Sequence, residues 1–506
     1  MKILNELVGF LSKNKTKNIQ IIGQVSPIDT HSRRLYDLIA KENQLDDAEL
    51  ALRLYGNHTQ RSADSLRKLK SRLTNRMLNT VLLIDPEAKD QPVIDKAFLK
   101  ANKMLIIGNL MHSRNLYHAS KLCYNQVITL ANTYDFTELK LLASARLRII
   151  MGEIVQDRKE FLKYDQLFNQ AYLEYNAEAY CQRNISNLIS LLASSRKLVM
   201  PLTEEELSEI KTKFSELKGK YNTLTVERLY YLFFNLSNLL EGNYKEVIRL
   251  SDEAINHFSS RKYKLKNTIL NMKNTKIMAL LEIGRYNEGV ELSSSIKDEY
   301  TYGDYNWYSN QYYLFLLLVY SGEYTRAAEE LSAMLKAMNA KKLPEHLTEN
   351  IKILTANIYF LHALGKIKST ELHTSITNFK INRFLNDIPT FSKDKRGLNI
   401  SILILHVLIM LVNREYHKII YSIEALNQYS SRYLLKDATF RSNVMVKILS
   451  AMVSADFHPV RTKRYTDDLF KKLQTVSRGV TEQGAEVEII PYEDLWPMVL
   501  ELLQKQ

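Results

Sequence analysis

Six cationic side chains crowd the stretch from Arg61 to Thr80: Arg61, Arg67, Lys68, Lys70, Arg72 and Arg76, against one acid, Asp64. Leu66, Leu69, Leu73 and Met77 recur among them at three- and four-residue intervals. On a helix those four form a buried stripe and the cations occupy the remaining circumference. Such a face can neutralise phosphates or an acidic protein surface. A second concentration is aromatic. The run "YTYGDYNWYSNQYYLF" from Tyr300 holds Tyr305, Trp307, Tyr308 and Tyr312, and helical spacing puts Tyr305, Tyr308 and Tyr312 on one face. Exposed, these rings would be rigid contacts for a bound peptide. Packed between helices, they would be core.

Catalysis has a weaker claim. His112 and His118, and His362 and His373, are not at ligand spacing, and no H-E-x-x-H, C-x-x-C, G-x-G-x-x-G or G-K-[ST] motif occurs. The triplet Glu204, Glu205 and Glu206 reads as a helix start, with Thr203 as cap and the acids complementing the helix dipole. Cys123 and Cys181 supply neither a disulfide framework nor a metal spacing, and suit a reducing compartment as small buried residues. The charge run Lys393 to Gly397 reads as a solvated loop. The expectation is a protein that is not an enzyme and holds no cofactor or metal.

The elements that must position these residues are helical. The 506 residues include only 15 Gly and 9 Pro, too few for turn-rich β architecture, and the length implies several domains or a repeat array. The net charge of +13 permits nucleic acid, acidic membranes or acidic proteins as partners and selects none of them. The start "MKILNELVGFLSKNK" is interrupted by Glu6 and lacks a small-residue cleavage site, which argues against a signal peptide. The longest apolar run, Ile400 to Val412, contains His406 and is shorter than the roughly 20 residues of a membrane span. It reads as a buried helix, and a cytoplasmic location without a membrane span follows by default.

A short pattern recurs. "EGNYKEVIRL", "EIGRYNEGVEL" and "YSGEYTRAAEEL" align Gly242, Gly284 and Gly322. Two residues later come Tyr244, Tyr286 and Tyr324, and five residues later Val247, Gly289 and Ala327. Weaker copies place Arg114, Leu116 and Ala119, then Lys159, Phe161 and Tyr164, then Gly365, then Arg414, Tyr416 and Ile419 in the same roles. One further copy is expected near Arg196 to Pro201, for a period of about 40 to 45 residues. The apolar stretch before each Gly would be one helix, the Gly a tight turn at positive φ, the aromatic residue a cover, and the small residue a point of close helix approach. Neither helix buries its face alone; stacked pairs do.

These G-x-Y-x-x-A elements resemble the tetratricopeptide repeat, over roughly residues 97 to 475. The period exceeds that family's roughly 34 residues, and its closing Pro is mostly absent. An irregular helical array is the other reading of the same pattern. The resemblance implies an all-α, right-handed solenoid of about eight helix pairs over residues 96–475, between a small basic helical domain at 1–95 and a C-terminal loop and capping helix at 476–506. In the first segment, "HSRRLYDLIAKEN" and "LDDAELALRLYGN" are short helices, the latter capped by Asp46 or Asp47 and stopped by Gly56. The basic helix that follows starts near Ser62 or Asp64. Two short helices and a basic third resemble the helix-turn-helix module of regulators that carry helical repeats, which would set residues 61–80 on nucleic acid. A cap over the first repeat with a solvated basic face fits the same residues. At the other end, "EVEII" could form a short strand before a terminal helix "WPMVLELLQK". The leading expectation is a scaffold or adaptor that captures a peptide or helix, of acidic character, in the solenoid's concave groove. A nucleic-acid-binding regulator is the alternative.

Overall fold

The computed structural model describes residues 4, 8, 30–42, 45–81, 92–194, 202–338, 345–368, 372–380, 384, 398–433, 440–475 and 488–505. These residues form helices and turns, with no strand among them. The chain divides into two compact units, Met1–Tyr175 and Asn176–Gln506.

The first unit begins with α1 (Thr30–Lys41), α2 (Asp47–Tyr55) and α3 (Gln60–Val81). Asp46 caps α2 through a reciprocal box. Its Oδ1 accepts from the Glu49 N–H at 2.8 Å, and its own N–H donates to Glu49 Oε2 at 3.1 Å. Gly56, at φ 77°, ends the helix. α3 is capped by Thr59: the Thr59 N–H donates to Ser62 Oγ at 2.8 Å and the Ser62 N–H to Thr59 Oγ1 at 3.3 Å. The expected stripe Leu66, Leu69, Leu73 and Met77 is buried against Leu35, Ile39, Leu50 and Leu54. Then come α4 (Val93–Ser113), α5 (Tyr117–Tyr134) and α6 (Thr137–Ile149), extended by a π-helical turn Ile150–Ile154. α7 (Arg158–Ser194) runs for 37 residues across the boundary between the units. Gly108 lets α4 and α5 touch: a Cβ there would lie 2.7 Å from the Tyr124 ring, whose hydroxyl donates to Asn109 Oδ1 at 2.9 Å.

In the second unit the C-terminal part of α7 packs with α8 (Glu204–Lys220) and α9 (Leu224–Leu240) around Phe214 and Phe233. Thr203 caps α8 as expected, and Glu206 completes a reciprocal capping box with it. Helices then follow in pairs: α9 with α10 (Tyr244–Ser259), α11 (Lys266–Glu282) with α12 (Tyr286–Ile296), and α13 (Tyr305–Tyr320) with α14 (Tyr324–Met338). α15 (Glu345–Ala363) is followed by the one-turn α16 (Thr374–Thr377). α17 (Leu398–Val412) pairs with α18 (Tyr416–Tyr433), and α19 (Phe440–Ser454) with α20 (Pro459–Gln474). α21 (Tyr492–Lys505) ends the chain. Each helix packs on the next. The first helices of successive pairs also approach one another: α9 on α11, α11 on α13, α15 on α17, and α17 on α19. α17 is the apolar run read as a buried helix, and burial holds His406 below the ordinary imidazole range.

One turn closes the pairs. Gly242, Gly284 and Gly322 have φ of 74°, 78° and 81°. The next N–H reaches back five residues in each: Asn243 to the Asn238 carbonyl at 2.8 Å, Arg285 to Leu280 at 2.9 Å, Glu323 to Leu318 at 2.8 Å. This is the Schellman closure, which satisfies carbonyls that the helix end would otherwise strand. Gly365 and Arg414 close in the same way, with Lys366 on Leu361 at 3.0 Å and Glu415 on Met410 at 2.9 Å. After Gly365, residues 366–368 and 372–373 are not helical, so the turn is kept without a full second helix there.

Several weaker copies need correction. The turn expected at Arg114 is at Asn115, φ 59°, which moves the aromatic and small positions from Leu116 and Ala119 to Tyr117 and Ser120. Asn tolerates the left-handed region better than Arg, which explains the one-residue shift. The turn expected at Lys159 is at Gln156, φ 58°, and Asp157 Oδ1 accepts from the Lys159 and Glu160 N–H groups at 3.0 Å. Lys159, Phe161 and Tyr164 therefore lie within α7. Turns at Asp135 and Phe457 were not anticipated. The copy near 196–201 and the run 393–397 lie outside the described residues. Among the described residues 488–490 there is no strand, and α21 starts at Tyr492 rather than Trp496, its Asp494 and Leu495 N–H groups donating to the Pro491 carbonyl.

Val247 and Ala327 are buried as expected of the small position. The approach at Gly289 is to the following pair: a Cβ would lie 2.6 Å from Leu317 Cδ2 on α13. Arg414 carries a Cβ at φ 59°, where glycine is unstrained. Arg414→Gly is expected to raise stability by about 0.5–1 kcal/mol, after the glycine's extra unfolded-state entropy is subtracted. A urea midpoint that stays put or falls would contradict the strain assigned to this turn.

Candidate interaction surfaces

α3 presents cations in a row. Arg61, Lys68, Arg72 and Arg76 are exposed and recur along one helical face. Lys68, Arg72 and Arg76 stand at successive four-residue steps, a like-charge spacing that costs a few tenths of a kcal/mol per pair in the absence of an anion. Arg67 is also exposed, 3.6 Å from Asp64. Lys70 departs from the expectation. Its side chain turns inward and pairs with Asp47, tying α3 to α2. The four-residue connection 56–59 between α2 and α3, with its left-handed glycine, has the length of a helix-turn-helix joint.

The aromatic run is split by its helix. On α13 the outward face is Tyr305, Ser309, Tyr312, Tyr313 and Tyr320, with Tyr305 56% exposed and the others half-buried. Trp307 and Tyr308 face the core at 3% and 1% exposed. Trp307 packs on Tyr302 and Tyr308 with ring centroids 4.8 and 5.0 Å away, and the Tyr308 hydroxyl donates to the Met334 carbonyl on α14 at 3.4 Å. Trp307 and Tyr308 thus act as packing residues between α13 and its neighbours. Tyr305 is exposed and Tyr312 half-buried.

Tyr313 retains exposed surface, yet burial pushes its phenol up to about 12, and burial raises Tyr312 and Tyr320 as well. Glu282 is the last residue of α11. Its Oε2 is buried without a hydrogen-bond partner, and burial pushes the carboxyl up to about 7. Burial also pushes Tyr244 up, and the Glu282 charge adds to the rise at Tyr244, Tyr313 and Tyr320. Tyr286 packs edge-on against Tyr320, centroids 5.4 Å apart.

The same helix layer carries the chain's C-terminal segment. Arg441 at the start of α19 is 1% exposed. Its Nε donates to Glu488 Oε1 at 2.5 Å and its Nη2 to Glu488 Oε2 at 2.9 Å. Nη1 and Nη2 reach Glu493 Oε1 and Oε2 at 2.8 and 2.6 Å, and Nη1 also reaches the Leu473 carbonyl at 3.3 Å. All five guanidinium N–H groups are thereby used. Burial pushes the Glu488 carboxyl up, while the two carboxylates hold Arg441 above its ordinary range. The Tyr320 hydroxyl donates to the Glu488 carbonyl at 2.7 Å, and Ser442 Oγ lies 3.2 Å from the Tyr492 hydroxyl. Between the segment and α15 and α17 lies a cavity of about 20 Å³, lined by Asn357, Ile404 and Leu408.

Burial pushes the Cys181 thiol up to about 12, an inert state. Among the described residues no group of three or more His, Cys, Asp or Glu is placed to hold a metal, and no helix is long and apolar enough to cross a membrane. Comparison with protein-family models, with curated proteins and with solved structures finds no match. Arg441 was not anticipated. Nothing around "TFRSN" marks it, and its partners lie 47 and 52 residues away in sequence.

Proposed function

We propose that the chain is a non-enzymatic interaction scaffold, a tetratricopeptide-like right-handed solenoid whose first-helix layer captures a peptide or helix of a partner. The observation that carries this reading is the recurrence of one Schellman turn between paired helices, together with close approach of the first helices. That layer gathers Tyr305, Tyr312 and Tyr313 on one side of α13. Aromatic side chains are the residue type that dominates binding energy at such surfaces. The buried Arg441 favours an acidic segment. Tyr305→Ala, at a position 56% exposed, should weaken partner capture severalfold at unchanged thermal stability; undiminished capture would sink the reading. Trp307 and Tyr308 are left intact in this test because their loss would disturb packing.

A second reading is favoured by one specific observation, the row Arg61, Lys68, Arg72 and Arg76 on the face of α3. In it α3 lies on nucleic acid and the repeats act as a sensing domain. Reversing charge at Arg61, Lys68 and Arg72, and leaving Lys70 on Asp47, should lower duplex affinity and reduce the log–log salt slope by roughly 3. No affinity for duplex at low salt, or an unchanged slope, would remove this reading.

A further inference from the structure

A groove of about 400 Å³ lies between α5 and α7 in the first unit, and the function proposed above makes no use of it. α5 lines it with Asn125, Thr129 and Asn132, at helical steps of four and three, and α7 answers with Gln166 and Gln170. The floor is fixed. Tyr164 is 4% exposed, and its hydroxyl donates to Asn125 Oδ1 at 2.9 Å, so a buried ring holds one amide in place across the two helices. With Oδ1 taken, Asn125 offers its two N–H groups. Gln170 Nε2 donates to Glu174 Oε1 at 3.0 Å, which leaves Gln170 its carbonyl oxygen. Asn132 and Gln166 make no hydrogen bond among the described residues. No carboxylate lines the groove, and its one cation, Lys163, is met by Glu160 at 3.2 Å.

Side-chain amides both donate and accept, so a groove of amides without net charge suits a neutral ligand that carries both kinds of group. An extended peptide backbone is such a ligand; in a helix the same N–H and C=O groups are already paired. The spacing agrees. One turn of α5 advances about 5–6 Å, and two residues of extended chain about 6.6 Å. Asn125, Thr129 and Asn132 therefore match successive backbone groups over about three extended residues. Beyond the amides, Leu162 and Leu173 on α7 and Leu122 on α5 are 48%, 51% and 59% exposed, apolar ground for side chains that leave such a backbone. A sugar would stack on an open ring face, and the ring in this lining, Tyr164, is buried. We propose that the α5–α7 groove binds an extended, uncharged segment of a partner chain through its backbone. It is a second peptide site, distinct from the first-helix layer of the second unit, and it does not depend on Tyr305.

The test titrates the full chain into a fluorescein-labelled peptide of alternating leucine and serine and follows anisotropy. Binding should be saturable. The same peptide methylated at every backbone nitrogen keeps its side chains, loses its N–H donors, and should bind at least tenfold more weakly. Asn132→Ala with Gln166→Ala removes two groups that hold nothing else in place, and should cost at least tenfold in peptide affinity at unchanged thermal stability. Tyr164→Phe keeps the buried ring and frees Asn125, and should cost severalfold. That loss should vanish in an Asn125→Ala chain, because the hydroxyl acts through this amide. The proposal is overturned if the peptide shows no saturable binding, if the methylated peptide binds equally, or if the Asn132→Ala, Gln166→Ala chain binds as the wild type does. Uptake of maltotriose in place of the peptide would assign the groove to a sugar and overturn it too. Loss of the peptide on Tyr305→Ala would move it to the first-helix layer, with the same consequence. Failure here beside partner capture that still depends on Tyr305 would leave the scaffold reading standing without this site.

Discussion

Replacing Arg441 by methionine is expected to destabilise the second unit by roughly 3–5 kcal/mol. The guanidinium is 1% exposed and faces two carboxylates that have little other access to water. Removing it leaves Glu488 and Glu493 buried without their shared counter-charge, the costly half of breaking a buried ion pair. The loss should be shared. Tyr320 hydrogen-bonds the Glu488 backbone and Ser442 meets Tyr492, so release of the acids also frees contacts of α21. Urea unfolding measures the loss. Substituting Glu488→Gln and Glu493→Gln in the Arg441→Met chain should recover a large part of it, because the desolvated charges are then gone. An Arg441→Met chain with an unchanged midpoint would show that the cluster is hydrated and contributes little.

Glu282→Gln should stabilise the chain at alkaline pH and do little in acid. The Glu282 carboxyl is held at about 7 by burial, against 4.5 for an unperturbed group. The folded state therefore binds this proton more tightly than the unfolded state does. That contribution is complete below the unfolded value and is lost as pH rises from there through about 7. Full conversion of the shift corresponds to about 3 kcal/mol, and remaining solvent contact lowers it, so a gain of about 1–3 kcal/mol at pH 8 is expected. At pH 5 the glutamine and the protonated acid are near-isosteres and the difference should be small. Equal effects at pH 5 and pH 8 would mean that Oε2 is satisfied by solvent.

Local rules carried most of what could be read from the residues alone. Gly242, Gly284 and Gly322 combine an apolar run, a glycine and an aromatic residue, and each of the three signals has its own physical cause. The capping pairs at Asp46 and Thr203 and the stripe from Leu66 to Met77 are local in the same sense. Where the turn residue has a side chain the signal fades. Arg414 and Asn115 adopt the same left-handed geometry, but the residue at the turn is then ambiguous by one position. α7 continues for 37 residues and contains the positions at which Lys159 and Phe161 had suggested a turn.

The surfaces were less legible, because exposure depends on neighbours distant in sequence. Tyr305 and Tyr308 are three apart and meet the geometric condition for a shared face. α14 nevertheless supplies the Met334 carbonyl on the side of Tyr308 and closes it off. Lys70 looked like one more cation in a row until Asp47, 23 residues earlier, claimed it. Arg441 is the extreme case: it is one arginine in an ordinary helix, and its role exists only once residues 488–493 return to it.

Partner contact through the first-helix layer is the central claim, and site-specific photo-cross-linking in the native cell addresses it most directly. A photoreactive residue at Tyr305 on α13 should capture a partner, and one at Tyr421, 74% exposed on the second helix α18, should not. Cross-links from Tyr421 or from Arg72 on α3, with none from Tyr305, would contradict the account.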